Sequence, residues 1–168
     1  MRRLIAILAL TMLAAGCGGQ EDPPASSASA TPPVSTVSPT PTALTLAQAK
    51  TRYLEIVAPY NTVLEEFESA AQANKPWRSL LPLAAKVASE NKAHARALRA
   101  TEWPAQVRVP MAALLKETDA AQPYWERAAR AKTADELAEA VLAAVKHNGS
   151  KPAGQVRSEL GLPPYAES

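Results

Sequence analysis

From residue 45 onward, apolar side chains recur along the chain at alternating steps of three and four residues. This spacing places them on one face of an α-helix and is typical of helices that pack side by side. The first such stretch contains Leu46, Ala49, Tyr53, Ile56, Tyr60, Val63, Phe67 and Ala70. The strict apolar–polar alternation of a β-strand does not occur. The pattern therefore predicts an all-α domain.

The first predicted helix begins after Thr45. Thr45 and Gln48 have the spacing of a capping box, in which each side chain bonds a backbone N–H of the other residue. Pro59 lies inside this helix and removes one backbone hydrogen bond, which bends a helix. Because the apolar face keeps its register across Pro59, we expect one kinked helix and not two.

Two more helices are predicted, each after a turn that contains proline. The second is expected to begin near Ser79, so that Pro82 falls in its first turn, where a missing N–H is tolerated. Its apolar face comprises Leu81, Ala84, Ala88, Asn91, Ala95 and Leu98. Asn91 is polar, and a buried asparagine on such a face usually selects register and partner.

The third helix follows Glu102-Trp103-Pro104, and Pro123 inside it predicts another kink. Its apolar face comprises Val107, Met111, Leu114, Thr118, Ala121, Trp125 and Ala128.

A fourth helix is predicted between a second capping box and a glycine. Thr133 and Glu136 form the box, and Gly149 supplies the left-handed residue that ends many helices. A last short helical turn is expected from Gly154 to Leu160, ended by a Schellman cap at Gly161. The predicted fold of residues 45–168 is an up-down antiparallel bundle of four helices, some kinked by proline, with this C-terminal turn appended.

The N-terminal region has the pattern of an export signal. Arg2 and Arg3 precede an uncharged, mainly apolar run from Leu4 to Gly16, and the only cysteine, Cys17, follows. That run is shorter than the roughly twenty residues that span a bilayer. Leu13-Ala14-Ala15-Gly16-Cys17 resembles the lipobox of bacterial lipoproteins, which implies removal of residues 1–16 between Gly16 and Cys17 and lipidation of Cys17. The alternative is an ordinary signal peptide that is cleaved nearby.

Residues 17–44 contain many Pro, Ser, Thr and Ala residues and few large hydrophobic ones. Such a segment cannot bury enough apolar surface to offset the entropy of ordering, so a disordered linker is expected. It would separate a membrane anchor at Cys17 from the helical domain.

Cleavage changes the charge of the chain. The sequence has 18 Lys and Arg residues and 16 Asp and Glu residues, and removal of Arg2 and Arg3 leaves 16 of each sign. The mature protein therefore lacks the basic surplus that nucleic-acid binding requires, and no nucleic-acid partner is expected. Attachment to the membrane would depend on acyl chains such as palmitate, since two chains give stable anchoring.

No catalytic residue, metal ligand set or cofactor motif emerges from the sequence, so an enzyme is not expected. With a single cysteine, the chain cannot form an internal disulfide. His94 and Asn91 share one helix face and form a candidate ligand pair. The preferred interpretation of His94 is a capped or solvated side chain.

The few aromatic residues suggest two arrangements. They either fill the core and the ends of the bundle, or some of them line a binding groove. The candidate groove comprises Tyr60, Trp77 and Trp103, near helix ends where Pro59, Pro76 and Pro104 loosen the packing.

The whole chain resembles the small Ala-rich lipoproteins of high-GC Gram-positive bacteria. The likeness lies in the lipobox, the Thr/Pro/Ser linker, the turn at Trp103-Pro104 and the ending Leu160-Gly-Leu-Pro-Pro. It implies a lipid-anchored protein on the extracytoplasmic face of the cell membrane, or at the outer membrane in a Gram-negative organism, and it implies no reaction.

Two functions remain open. The first is a non-enzymatic bundle that binds another envelope protein. The second is a small-molecule binding or sensor domain with a pocket between kinked helices. A cavity of several hundred Å³ would favour the second, and a solid core with one exposed apolar patch would favour the first.

Overall fold

The computed structural model describes residues 43–165. The predicted signal peptide, Gly16, Cys17 and nearly all of the predicted linker lie outside these residues. The described chain contains five α-helices and no β-strand: α1 Leu46–Gln72, α2 Trp77–Arg99, α3 Ala105–Ala129, α4 Ala134–Val145 and α5 Ser150–Glu159. None of these helices is both long enough and apolar enough to cross a membrane.

Two groups of buried side chains show how the helices pack. The α4-end cluster joins Phe67 of α1, Leu80 of α2, Trp125 of α3 and Leu137 of α4, among others. Phe67 and Trp125 lie late in their helices, whereas Leu80 and Leu137 lie early, so consecutive helices run antiparallel. The α5-end cluster contains Tyr53, Ile56, Leu98, Met111, Val156 and Leu160. The predicted all-α, up-down bundle is confirmed.

The fourth position of the bundle is shared by two short helices. The α4 helix contributes to the α4-end cluster and α5 to the α5-end cluster, and both pack on α3. The chain turns between them at Gly149, which has a left-handed φ of 65°. No Cα atom of α1 lies within 8 Å of a Cα atom of α4 or α5. Helix α1 is therefore set further from α4 and α5 than from its neighbour α2.

The predicted apolar faces agree well with the buried residues. All seven positions predicted for the third helix are buried in α3. On α2 the buried face also includes Val87 and His94, and Leu80 is buried where the pattern predicted Leu81. On α1, Leu46 is 46% exposed, unlike the other apolar positions predicted for this helix.

Most of the predicted helix ends are present. Thr45 and Gln48 form the complete capping box. At Gly161 the N–H groups of Gly161 and Leu162 donate to the carbonyl oxygens of Ser158 and Arg157 at 3.0 and 2.8 Å, which is the Schellman pattern.

The second capping box forms only in part. The Thr133 hydroxyl accepts from the Glu136 N–H at 3.1 Å. The Glu136 carboxylate accepts from the N–H of Lys132, at 2.7 Å, and not from that of Thr133.

Two predicted boundaries were wrong. The α2 helix begins at Trp77, two residues before Ser79, because Pro76 precedes it with a fixed φ of −52° and its carbonyl accepts the Ser79 N–H at 2.8 Å. Pro82 is consequently inside the second turn. The predicted C-terminal turn is the ten-residue helix α5, whose start is stabilised by the Asn148 side chain accepting from the Ser150 N–H at 3.0 Å.

Candidate functional site

A cavity of about 700 Å³ lies between α1 and the divided fourth position. One stripe of α1 forms its near wall: Tyr53, Val57, Tyr60, Leu64 and Glu68. These residues are spaced by four, three, four and four positions, which keeps them on one face of the helix. The cavity lies between this face and the more distant helices α4 and α5.

Helices α2 and α3 form the floor of the cavity. Asn91 and His94 come from α2, and Leu114, Thr118 and Trp125 come from α3. All five are buried residues of the bundle interior. The floor therefore combines apolar surface with a few polar side chains, as is typical of small-molecule sites.

The far wall is formed by α4 and α5. Ala144 and Val145 belong to the last turns of α4, and Ala153 and Arg157 belong to α5. The joint between the two helices is held to α3, because Nδ1 of His147 lies 3.0 Å from Oε2 of Glu117. This wall combines the apolar residues Ala144, Val145 and Ala153 with polar ones from the joint and from α5.

The chain after α5 crosses toward α1 and adds Leu162, Pro164 and Tyr165 to the lining. The Tyr165 hydroxyl donates to the carboxylate of Glu65 on α1. The guanidinium of Arg157 lies 5.7 Å from the centre of the Tyr165 ring. This segment thus bridges α5 and α1 at one part of the cavity.

His94 is the most unusual side chain in the cavity. It is only 7% exposed, and neither Nδ1 nor Nε2 has a hydrogen-bond partner in the protein. Its ring stacks on that of Tyr60, with centroids 5.3 Å apart and planes at 26°. Burial lowers its pKa to about 4. At neutral pH it is therefore an uncharged imidazole that carries one donor and one acceptor.

Asn91, one helical turn from His94, is bonded to α3. Its Nδ2 donates to the carbonyl oxygen of Thr118 at 2.9 Å and to Oε1 of Gln122 at 2.8 Å. Both amide hydrogens are thereby used, so the remaining hydrogen-bonding group of the side chain is the acceptor Oδ1.

The tyrosines of the near wall are also uncharged. Burial raises the pKa of Tyr53 to about 12 although the charge of Arg157 acts in the opposite direction. Burial likewise raises the pKa of Tyr60 to about 12, and the Glu68 carboxylate adds to this shift. Arg157 and Glu68 thus lie near different tyrosines of the stripe, and the floor between them is neutral.

The structure does not bring the predicted groove residues together. Tyr60 lines the cavity. Trp103 is a core residue, 5% exposed, whose indole N–H donates to the carbonyl oxygen of Leu98 at 2.8 Å. Trp77 is half-buried at the start of α2, with the Arg78 guanidinium 4.7 Å from its ring centre. The cavity lies beside the divided α4–α5 position, and neither the turn at Trp77 nor the turn at Trp103 contributes to its lining.

Two residues of the cavity floor were not predicted from the sequence to line a binding site. Trp125 was assigned to the core, and His94 was expected to be capped or solvated, which is wrong because its ring is buried against Tyr60. The signal for His94 is its position three residues after Asn91 and seven after Val87, which places it on the buried face of α2.

Within residues 43–165, no three side chains of the His, Cys, Asp and Glu types come close enough together to hold a metal ion. Comparison with protein-family models, curated protein sequences and solved structures gives no match for this chain. The assignment of the cavity accordingly rests on its geometry and chemistry.

Proposed function

We propose that the helical domain binds a small molecule in the cavity between α1 and the α4–α5 wall. The observation that carries this proposal is the buried His94, whose two ring nitrogens have no protein partner and which lines a cavity of about 700 Å³. Ligand sites commonly have volumes of roughly 300–1,000 Å³, apolar walls and a few polar groups that orient the ligand. A buried polar atom without a partner is costly, and a ligand can supply the missing hydrogen bond.

Binding to another envelope protein is the second candidate. It is favoured by Leu142 and Val145, which are 66% and 50% exposed and lie three residues apart on α4. Isolated exposed hydrophobic residues are common on protein surfaces, and two neighbours form a small patch. The cavity is the larger feature, and it contains the unpartnered polar group.

We further propose that the protein is non-enzymatic and is held at the extracytoplasmic face of the membrane by lipid on Cys17. The lipobox and the absence of a basic surplus after cleavage support this part. A Cys17→Ser variant should leave the membrane fraction of cells that produce the full chain. Continued retention of that variant would refute lipid attachment at this residue.

Binding can be tested with N-phenyl-1-naphthylamine, an uncharged apolar dye that fluoresces when it leaves water. The full chain carrying Cys17→Ser avoids competition from acyl chains. We expect saturable binding of one dye per chain, with energy transfer from tryptophan.

A matched pair of alanine variants locates the dye. Ala153 lines the cavity on α5, whereas Ala113 is exposed on α3. Ala153→Phe should fill part of the cavity and weaken binding, and Ala113→Phe should not, with circular dichroism showing both folded. Absence of saturable binding to the parent chain, or equal binding by both variants, would overturn the proposal.

A further inference from the structure

The cavity extends along α1. Its α1 wall runs from Tyr53 to Glu68, which are fifteen residues apart, or about 22 Å at 1.5 Å per residue. A linear molecule can lie extended along such a slot.

The floor of the slot carries no charge to balance an ionised ligand group. Asn91 and Thr118 are uncharged, and His94 is neutral at neutral pH. Glu68 and Arg157 are the charged lining residues beside the two tyrosines of the α1 stripe. An ionised group placed against the floor would lose its hydration without a counter-charge, which is unfavourable.

Two hydrogen-bonding groups on the floor suit a hydroxyl group. Neutral His94 offers one N–H donor and one nitrogen acceptor, and Asn91, one turn away, has its Oδ1 acceptor left after both amide hydrogens are used. A hydroxyl both donates and accepts, so it can accept from the imidazole N–H and donate to an acceptor. A carboxylate can only accept, and an ammonium can only donate.

We propose that the cavity binds an uncharged, single-chain amphiphile whose hydroxyl group is held by His94 and Asn91. This inference rests on the proposed function and specifies the chemistry of its ligand. The apolar chain of the ligand lies along the α1 stripe, against Val57 and Leu64 on one side and Ala144 and Val145 on the other.

The test compares three ligands of equal chain length on the full chain carrying Cys17→Ser: decan-1-ol, decanoate and decylamine. Each displaces bound N-phenyl-1-naphthylamine at neutral pH. We expect decan-1-ol to compete at a concentration about tenfold lower than either ion, the ratio that corresponds to about 1.4 kcal/mol. Equal or stronger competition by decanoate or decylamine would overturn the inference. This comparison uses a single protein, so it does not depend on whether a variant of the cavity folds.

His94→Phe keeps an aromatic ring against Tyr60 and removes both nitrogens. It should weaken competition by decan-1-ol about tenfold after correction for any change in affinity for the dye, and saturable dye binding by the variant shows that the cavity has formed. Ala113→Phe, which adds a phenyl ring on exposed α3 surface outside the cavity, should leave competition by decan-1-ol unchanged. Unaltered competition in His94→Phe would overturn the role of His94.

The two proposals fail in different ways. If the parent chain does not bind the dye, the proposed function itself is wrong. If it binds the dye but shows no preference for decan-1-ol, the cavity is a ligand site and only the inferred ligand class is wrong.

Discussion

The imidazole of His94 on α2 stacks on the phenol ring of Tyr60 on α1, with 5.3 Å between the ring centroids. The contact joins two helices and covers one face of the imidazole, while both ring nitrogens lack a protein partner. Burial keeps the imidazole neutral by lowering its pKa to about 4. The stack therefore places an uncharged hydrogen-bonding group on the floor of the cavity.

The first prediction concerns stability against pH. The pKa of His94 is about 4 in the folded state and 6.5 for an unperturbed histidine. Between these values the unfolded chain binds more protons, so the free energy of unfolding rises with pH. Above pH 6.5 His94 is neutral in both states and its burial does not reduce the free energy of unfolding. As the pH falls from 6.5 to about 4, protonation of His94 in the unfolded chain lowers the free energy of unfolding by about 3 kcal/mol. Urea unfolding at several pH values measures it.

Carboxylates also titrate in the lower part of this window, and His94→Phe separates their effect from that of the histidine. The variant keeps the ring but cannot bind a proton, so its stability should fall much less between pH 6.5 and pH 4. Parallel pH profiles for the parent chain and His94→Phe would show that His94 titrates normally in the folded protein.

A second prediction concerns the connection between α2 and α3. Asn91→Leu removes the hydrogen bonds to the Thr118 carbonyl and to Gln122, and it should lower the free energy of unfolding by about 2 kcal/mol. Thr118→Val is the matched control, because the Thr118 hydroxyl bonds only within α3, to the carbonyl of Leu114 at 2.9 Å. Its cost should be below about 1 kcal/mol. Equal losses would contradict a specific role of Asn91.

The third prediction concerns the turn between α4 and α5. Gly149 has a φ of 65°, and a Cβ atom there would lie 3.0 Å from Cδ1 of Leu114. Gly149→Ala should therefore cost about 2 kcal/mol, from the left-handed backbone and from displacement of Leu114. Thermal unfolding compared with the parent chain gives the loss.

Two other glycines serve as controls for Gly149. Gly161 has a φ of 64° with open space around it, so Gly161→Ala should show the backbone cost alone, about 1 kcal/mol. Gly154 lies inside α5, where an added Cβ atom would meet no atom of another element within 4 Å, and Gly154→Ala should stabilise the protein by about 0.5–1 kcal/mol. A loss for Gly149→Ala no larger than that for Gly161→Ala would exclude the steric part.

A fourth prediction distinguishes the two tryptophans that were expected in one groove. Trp103 is almost fully buried and packs edge-on against Tyr53, with ring centroids 6.4 Å apart. Trp103→Ala should cost about 4 kcal/mol. Trp77 is only half-buried at the start of α2, so Trp77→Ala should cost clearly less. Denaturant titration of both variants decides this, and similar losses would contradict the assignment of Trp103 to the core.

The helices themselves could be predicted because their signals are local. The buried face of α3 follows entirely from the spacing of its apolar residues, and the cap at Thr45 follows from two side chains three positions apart. The start of α2 was misplaced because Pro76 and Ser79 close a turn that the apolar pattern does not reveal. The extent of α5 was missed for the same reason, since Asn148 stabilises its first turn through a side chain.

The sequence by itself determined that residues 45 onward form antiparallel helices and which face of each helix avoids water, because helical periodicity and capping depend on residues a few positions apart. Only the tertiary structure decided what covers each face. The stripe from Tyr53 to Glu68 follows the helical period of α1, but it meets a cavity, since the fourth position of the bundle is divided at Gly149. His94 became a buried, unpartnered side chain in the same way, through packing between helices that are distant along the chain.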